Sequence, residues 1–264
     1  MTSTRSVLIT GGASGIGFAV AQSCLELGFG VALLDRNEAA LSQAQAQLAA
    51  CGRVITIIAS VSDEAALDAA CTRTEIELGP LHGAVNSAGV GLDAQALDTE
   101  LDAFRTVIEV NLLGSFALSK AVARRMLPRG CGAIVNIASV SGMTGNVGRT
   151  AYGATKAGVI AMTKVMAAEL SAQGLRINAV APGPIETPMV RDVHTADMRQ
   201  AWIDTVPQRR YGTPEEIAQA VVFLLDETRS SYITGQVLAV DGGFTATGIL
   251  SGVALKSALV QERE

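Results

Sequence analysis

A tyrosine and a lysine stand four residues apart in a segment whose pattern predicts a helix from about Thr150 to Gln173. Tyr152 and Lys156 would therefore lie one turn apart on the same helix face. A phenol has an ordinary pKa of about 10, so it exchanges protons poorly at neutral pH. A neighbouring ammonium favours the phenolate and lowers that pKa. The spacing predicts a tyrosine tuned for proton transfer, although it also describes ordinary surface neighbours.

A serine that could orient a substrate lies thirteen residues before this tyrosine. Ser139 follows the apolar run 133–138, which predicts a buried strand. A hydroxyl at the end of that strand could bond a substrate oxygen. Ser139, Tyr152 and Lys156 together predict a site that moves a proton to or from an alcohol or carbonyl oxygen, with Ser139 and Tyr152 contacting the substrate.

Composition and charge narrow the classes of function. The chain has 264 residues, 49% hydrophobic and 17% charged, which is enough for a large core and predicts one domain over 1–264. A net charge of -5 offers no basic surface for nucleic acid or an anionic membrane. The 4 cysteines and 2 histidines lack the spacing of a disulfide framework or a zinc site. We expect a cytoplasmic protein with no metal, no nucleic-acid partner and no membrane partner.

A glycine-rich stretch near the start joins a predicted strand, 6–10, to a predicted helix, 18–27. Backbone N–H groups and the helix dipole at such a junction can bind a pyrophosphate. Glycine permits the tight turn and the close approach of the cofactor. The residues expected to hold a dinucleotide here are Gly11, Ser14, Gly15, Ile16 and Gly17.

An acid that ends the second predicted strand, 30–34, bears on the choice of cofactor. Asp35 follows Gly15 by twenty residues. A carboxylate at this place can accept hydrogen bonds from the adenosine ribose and would repel a 2′-phosphate, which predicts NAD rather than NADP. Arg36 follows at once and leaves some room for NADP.

Strands and helices alternate along the rest of the chain. Further helices are predicted at 38–50, 64–78 and 101–126, and further strands at 54–59, 81–85, 133–138 and 176–180. Repeated βα units of this length predict an α/β fold with a single doubly wound parallel sheet, a Rossmann fold with helices on both faces. Asn111 falls inside the long helix, where an asparagine is unfavourable, so it should have partners or a function.

Together these features resemble the short-chain dehydrogenase/reductase family. The residues that carry the resemblance are Thr10 to Gly17, Asn86-Ser87-Ala88-Gly89, Asn111, Ser139, Tyr152, Lys156, Pro182-Gly183 and Asp241-Gly242-Gly243. The resemblance implies an NAD(P) cofactor and a homotetramer. It also implies a catalytic tetrad. Tyr152 would be the general acid/base and Ser139 would hold the substrate oxygen. Lys156 would bind the nicotinamide ribose and lower the tyrosine pKa, and Asn111 would hold a water in a proton relay.

The same resemblance implies further contacts with the cofactor. They fall on Ser60, Val61, Asn86, Ala88, Gly89, Tyr152, Lys156, Pro182, Gly183, Ile185 and Thr187. Ser60 stands where the family often has an aspartate, and Ser87 where it has a second asparagine. The segment 184–211 resembles the family's mobile lid over the substrate. About twenty residues, 246–264, follow the last predicted strand and could form either a helix on a neighbouring subunit or a frayed tail.

Apolar side chains in the lid suggest a neutral, moderately apolar substrate pocket. Met189, Val190 and Trp202 contribute from the lid, and Gly91, Met143 and Val147 are expected to line the same pocket. These residues do not separate a polyol or sugar from a hydroxy ester or cyclic alcohol. The expected function is hydride transfer between NAD(H) and a secondary alcohol or ketone.

Two other functions stay open. The first is an NADPH-dependent 3-oxoacyl reductase, which Asp35 and the absence of Arg or Lys within Gly12-Ala13-Ser14 oppose. The second is a non-catalytic dinucleotide-binding regulator, which has no need of a proton-transfer pair.

Overall fold

A computed structural model describes residues 5–247, which build one seven-stranded sheet. The strands are β1 (Ser6–Thr10), β2 (Gly30–Asp35), β3 (Val54–Ile58), β4 (Leu81–Asn86), β5 (Gly132–Ile137), β6 (Leu175–Pro182) and β7 (Val237–Val240). All neighbours pair in parallel, in the order β3-β2-β1-β4-β5-β6-β7. The strand order reverses between β1 and β4, where the carboxyl ends of a doubly wound sheet open a crevice. The predicted Rossmann sheet is confirmed.

Helices alternate with the strands, as the sequence pattern predicts. They are α1 (Gly15–Glu26), α2 (Glu38–Leu48), α3 (Glu64–Leu78), α4 (Leu101–Ile108), α5 (Gly114–Met126), α6 (Thr150–Leu170), α7 (Pro188–Val193), α8 (Ala196–Thr205), α9 (Pro214–Leu225) and α10 (Glu227–Ser230). Helix α1 begins at Gly15, three residues before the expected start, because the glycine loop itself enters the first turn. The extension from residue 248 onward lies outside the described residues.

The sheet buries both of its faces. Helices α1, α2 and α9 supply the apolar side chains of one layer, and α3, α5 and α6 supply those of the other. Every residue of β1 and of β6 is buried. Double-sided burial explains why Val7, Leu8 and Ile9 of β1 form a continuous apolar run rather than an alternating one.

The predicted long helix 101–126 contains an irregular turn. A π-helical segment, Glu109–Leu113, separates α4 from α5 and carries Asn111. The stretch Leu101–Arg129 is long and apolar enough to cross a membrane by length and composition alone. In the fold it packs against α3, α6 and β4 and is about half buried, as a core helix is.

A buried network of polar side chains ties the carboxyl ends of two strands to two helices. Asn86 Nδ2 donates to Ser119 Oγ at 2.9 Å and to Asn136 Oδ1 at 2.7 Å. Asn136 Nδ2 in turn donates to Thr163 Oγ1 on α6 at 2.9 Å. Buried amides are costly unless they are bonded, so the network fixes α5 and α6 against β4 and β5.

We predict that Asn136→Leu lowers the free energy of unfolding by about 2–4 kcal/mol, because Asn86 and Thr163 each lose one buried hydrogen bond. Chemical denaturation measures the loss. The double variant Asn136→Leu/Thr163→Val should cost little more than Asn136→Leu alone, since both changes remove the same hydrogen bond. Fully additive losses would contradict a shared network.

Candidate active site

A cavity of about 510 Å³ lies between the carboxyl ends of the strands and the segment that begins after β6. Its lining residues are Val90, Gly91, Leu92, Asp93, Ser139, Val140, Ser141, Arg149, Tyr152, Gly183, Pro184, Met189, Val190, Val193, His194 and Trp202. The structure therefore brings the predicted substrate contacts Ser139 and Tyr152 into one cavity. Another cavity of about 510 Å³ includes Arg5, His82 and Arg176 but none of the predicted site residues.

Ser139 is held in place by the turn that follows β5. It caps a short 3₁₀ turn, Val140–Gly142, and its Oγ accepts a hydrogen bond from Ser141 N at 3.1 Å. The residue is 8% exposed and stands in the cavity wall. The bond to Ser141 uses Ser139 as an acceptor, so its hydroxyl hydrogen can be donated to the Tyr152 phenol or to a substrate oxygen.

Lys156 is buried behind Tyr152, as their spacing on α6 predicts. Its side chain is almost wholly covered, and Nζ donates to Ile137 O at 2.7 Å. Nζ lies 5.6 Å from the centre of the Tyr152 ring. Burial lowers the pKa of the Lys156 ammonium from 10.5 to about 8, because the charged form loses its hydration.

The tyrosine itself is less acidic than the spacing alone predicts. Burial raises the pKa of the Tyr152 phenol, while hydrogen bonding to Ser139 and the charge of Arg149 act in the opposite direction. The expected lowering by Lys156 is absent from these effects; its ammonium donates to Ile137 O and lies 5.6 Å from the centre of the Tyr152 ring. In this arrangement the phenol is protonated at neutral pH.

Asn111 is fully buried in the π-helical turn and is bonded on both sides of its amide. Oδ1 accepts from Val90 N at 2.8 Å, and Nδ2 donates to Val90 O at 2.9 Å and to Thr155 Oγ1 at 3.3 Å. A methyl group added to Gly89 would lie 3.2 Å from Asn111 Oδ1 and 3.7 Å from Lys156 Nζ. Through these hydrogen bonds Asn111 links Val90, which follows β4, to Thr155 on α6. The linkage lies close to Lys156.

A third cavity, of about 170 Å³, lies at the switch point of the sheet, where the strand order reverses. We call it the dinucleotide groove. Its lining includes seven of the predicted cofactor contacts, namely Gly11, Ser14, Asp35, Ser60, Val61, Ala88 and Gly89. Asp35 Oδ1 accepts from Asn37 N at 3.1 Å, which leaves Oδ2 without a protein donor among the described residues. That oxygen can accept a hydrogen bond from a ribose hydroxyl.

The glycine loop is shaped for a ligand with phosphates. A methyl group on Gly17 would lie 2.2 Å from Gly11 O, and one on Gly11, whose φ is +64°, would lie 2.8 Å from Ala88 N. The N-cap Ser14 makes no side-chain bond to the first turn of α1, and that turn carries no acidic residue. The helix N-terminus can therefore donate its own N–H groups, and the residues present fit a dinucleotide.

Other predicted cofactor contacts are spread around these two cavities. Ile16 lies in the first turn of α1, and Thr187, the N-cap of α7, comes within 3.4 Å of a methyl group built on Gly15. Gly183 lines the catalytic cavity, while Pro182 ends β6 and is buried. Eight of the predicted cofactor contacts do not line either cavity, namely Gly15, Ile16, Gly17, Asn86, Lys156, Pro182, Ile185 and Thr187. Asn86 is committed to the buried network and Ile185 packs in the apolar core.

The segment predicted as a lid folds into α7 and α8 and covers the catalytic cavity. Met189, Val190 and Trp202 line it as expected, and so does Gly91. The expectation was wrong for Met143 and Val147, which point to solvent and are 44% and 96% exposed. Their loop turns outward after the 3₁₀ turn at Ser139.

The sequence reasoning missed an ion pair in the cavity wall. Arg149 Nε lies 2.8 Å from Asp93 Oδ1, and both side chains are largely covered. The Arg149 guanidinium carbon lies 5.5 Å from the centre of the Tyr152 ring. Arg149 precedes Tyr152 by three residues, so the sequence could have predicted that the two side chains lie on the same face of the helix. No local sequence pattern predicts that Asp93 pairs with Arg149.

Comparison with known proteins agrees with this geometry. Residues 11–245 match a family model described as "Enoyl-(Acyl carrier protein) reductase". The chain is 41% identical to the inactive 2-(S)-hydroxypropyl-CoM dehydrogenase 2 of Xanthobacter autotrophicus, over 86% of this chain and 100% of the relative. It is 40% identical to a galactitol 2-dehydrogenase (L-tagatose-forming) of Cereibacter sphaeroides, over 90% and 93%.

A solved structure shares the whole architecture. The crystal structure of levodione reductase superposes with a TM-score of 0.89 at 36% identity, covering 94% of this chain and 100% of that chain. The chain therefore belongs to the short-chain dehydrogenase/reductase family and is an oxidoreductase that acts on alcohol or ketone groups.

Proposed function

We propose that this protein transfers a hydride between NAD(H) and a neutral secondary alcohol or ketone, with Tyr152 as the general acid/base. The observation that carries the proposal is the meeting of Ser139 and Tyr152 in one cavity, with the buried Lys156 ammonium 5.6 Å from the centre of the Tyr152 ring and with the predicted cofactor residues lining a neighbouring cavity. The relatives named for alcohol and ketone substrates support the same reaction class.

The cofactor would lie along the crevice of the sheet. Gly11, Gly15 and the start of α1 would hold its pyrophosphate, and Asp35 its adenosine ribose. When bound, NAD supplies the hydride acceptor and a positively charged ring, and NADH the hydride donor. Ser60 and Val61 would contact the adenine, and Thr187 the nicotinamide side.

The protein's own residues would handle the substrate oxygen and its proton. The Ser139 hydroxyl donates a hydrogen bond to that oxygen and orients it toward Tyr152. In ketone reduction the protonated phenol gives its proton to the oxygen, and in alcohol oxidation the phenolate takes the hydroxyl proton. The raised pKa of Tyr152 suits the acid role, so the oxidising direction needs an additional positive charge or a higher pH.

Lys156 would hold its ammonium near this phenol and bind the nicotinamide ribose. Asn111 would keep the segment after β4 in register with α6 and hold a relay water. A homotetramer in the cytoplasm stays our expectation from the family. It is supported by the exposed apolar side chains of Leu113, Phe116 and Val165 on the α5–α6 side of the sheet.

A second candidate, the 3-oxoacyl reductase, is favoured by the acyl-carrier wording of the matching family model. Reduction of such a substrate would use the same three residues. Asp35 opposes the NADPH dependence that we associate with it. A purely regulatory role is less consistent with the three residues, although one relative is named inactive.

We predict that Tyr152→Phe lowers kcat/KM by about a thousandfold, because it removes the proton-transfer group. Affinity for NADH, followed by fluorescence, should change little. Tyr232→Phe is the matched control, since Tyr232 is fully exposed and lines a different cavity. Substantial turnover by Tyr152→Phe would refute the assignment.

We predict that the protein prefers NADH and that Asp35→Asn shifts the preference toward NADPH by about tenfold, the effect of roughly 1.4 kcal/mol. The change removes a negative charge that would repel a 2′-phosphate. Glu38→Gln makes the same change of charge at an exposed position nearby and should leave the preference unaltered. A wild-type protein that binds NADPH more tightly than NADH would reverse the cofactor assignment.

We predict that burial of the Lys156 ammonium costs about 3 kcal/mol at neutral pH, as its pKa falls from 10.5 to about 8. Between these two values the unfolded chain holds a proton that the folded protein has lost. Wild-type stability, relative to Lys156→Met, should therefore rise as pH increases from 8 to 10.5. Denaturation at several pH values measures this difference.

Lys164→Met is the control for that experiment, because Lys164 lies on the same helix and is exposed. Its stability relative to the wild type should not depend on pH in this range. A pH-independent effect of Lys156→Met would mean that the ammonium is not desolvated.

A further inference from the structure

Arg149 occupies a position from which it can touch a substrate beside the reacting carbon. It immediately precedes α6, and its side chain is 15% exposed in the wall of the catalytic cavity. The guanidinium carbon is 5.5 Å from the centre of the Tyr152 ring. The charges of Arg149 and Asp93 both act on the Tyr152 phenol, so a group that accepts a hydrogen bond from this arginine would lie near the oxygen held by Tyr152.

The guanidinium is held from two sides. Nε pairs with Asp93 Oδ1 at 2.8 Å, and Nη2 contacts His194 Nε2 at 3.3 Å. The segment of Asp93 is tied to the segment of Arg149 by Ala94 N, which donates to Gly148 O at 3.0 Å. The pair is therefore a fixed part of the cavity wall.

His194 contributes as a neutral ring. Its Nδ1 lies 2.9 Å from Tyr211 Oη, so the tautomer with hydrogen on Nδ1 leaves Nε2 free to accept from Arg149. Burial lowers the His194 pKa, and the charge of Arg149 lowers it further, against the weaker opposite effect of Asp93. The three side chains together carry no net charge at neutral pH.

One nitrogen of Arg149 and one oxygen of Asp93 make no hydrogen bond to the described part of the protein. Among residues 5–247, Arg149 Nη1 donates to no protein acceptor and Asp93 Oδ2 accepts from no protein donor. Nη1 faces Gly91, where an added methyl group would still lie 3.8 Å away. The cavity thus presents one donor and one acceptor side by side, in a wall otherwise formed largely by apolar residues such as Trp202 and Val193.

The charge balance determines what such a pair can bind. A lone arginine would favour a carboxylate, but here Asp93 already neutralises it. An anionic substrate would place a second negative charge against the same guanidinium in a cavity whose wall is otherwise largely apolar, which is unfavourable. A neutral hydroxyl or carbonyl oxygen can accept from Nη1, and a hydroxyl can also donate to Asp93, with no change of net charge.

We propose that Asp93 and Arg149 form a specificity pair that selects neutral substrates bearing a second oxygen, a hydroxyl or a carbonyl, next to the reacting carbon, and that rejects their anionic counterparts. This inference rests on the proposed function and names the substrate class of that site. Vicinal diols, α-hydroxy ketones and diketones are the substrates it predicts.

Three probes with the same ring test the proposal, namely cyclohexanol, trans-1,2-cyclohexanediol and 2-hydroxycyclohexanecarboxylate. Binding to the NADH-loaded protein is measured by isothermal titration calorimetry, and turnover is measured with NAD. We expect the diol to bind at least about tenfold more tightly than either of the others, because it alone satisfies both open groups without adding charge. Tighter binding of the carboxylate than of the diol by the wild-type protein would overturn the proposal without any variant.

Two substitutions separate the members of the pair. Arg149→Gln should abolish the preference for the diol over cyclohexanol. Asp93→Asn should raise the affinity for the carboxylate relative to the diol by about tenfold or more, because it leaves the cation without its internal anion. Asp102→Asn and Arg105→Gln make the same changes in an exposed ion pair and should leave the ranking of the probes unchanged.

Binding and turnover test the specificity pair and the proposed oxidoreductase activity separately. Diol-selective binding without any turnover would contradict the oxidoreductase assignment and support the specificity pair. Turnover of all three probes with a ranking that Asp93→Asn and Arg149→Gln leave unchanged would overturn the specificity pair and support the oxidoreductase.

Discussion

The active site depends on keeping a charged lysine buried at the carboxyl edge of the sheet. Lys156 has no carboxylate partner within the described part of the chain, and its ammonium is bonded to the carbonyl of Ile137. Such a group destabilises the fold while it is charged, so its surroundings must be fixed by other interactions. The fixed surroundings are strand β5 on one side and the π-helical turn that carries Asn111 on the other.

The rest of the architecture can be understood as support for this arrangement. The network through Asn86 and Asn136 anchors α6 to the sheet, and the bonds from Asn111 to Val90 and Thr155 set the distance between the cofactor side and the tyrosine helix. Rigid elements therefore hold the proton-transfer groups, whereas the lid after β6 supplies the apolar cover. This division is common where one fold serves many substrates.

Much of the fold and of the site could be predicted because the signals are local. Strand and helix runs, the glycine loop, Asp35 and the Tyr152–Lys156 spacing each lie within a short stretch of sequence. Contacts between distant segments could not be predicted in the same way. The pairing of Asp93 with Arg149 depends on how two loops meet, and the outward turn of Met143 depends on the conformation of the loop after Ser139.

The acidity of the tyrosine is the point at which spacing alone was misleading. Proximity to an ammonium predicts a lowered pKa, but the charge of Lys156 is not among the effects on the Tyr152 phenol. Burial raises the pKa of that phenol, against the opposite effects of Ser139 and Arg149, and the protein by itself keeps Tyr152 protonated. A difference titration of tyrosinate absorbance between the wild type and Tyr152→Phe tests this most directly, without and with saturating NAD. The account predicts a phenol that titrates above its ordinary value of about 10 in the free protein and at least about one pH unit lower in the complex with the positively charged cofactor. A phenol that titrates below 10 in the free protein, or at the same pH in both states, would contradict it.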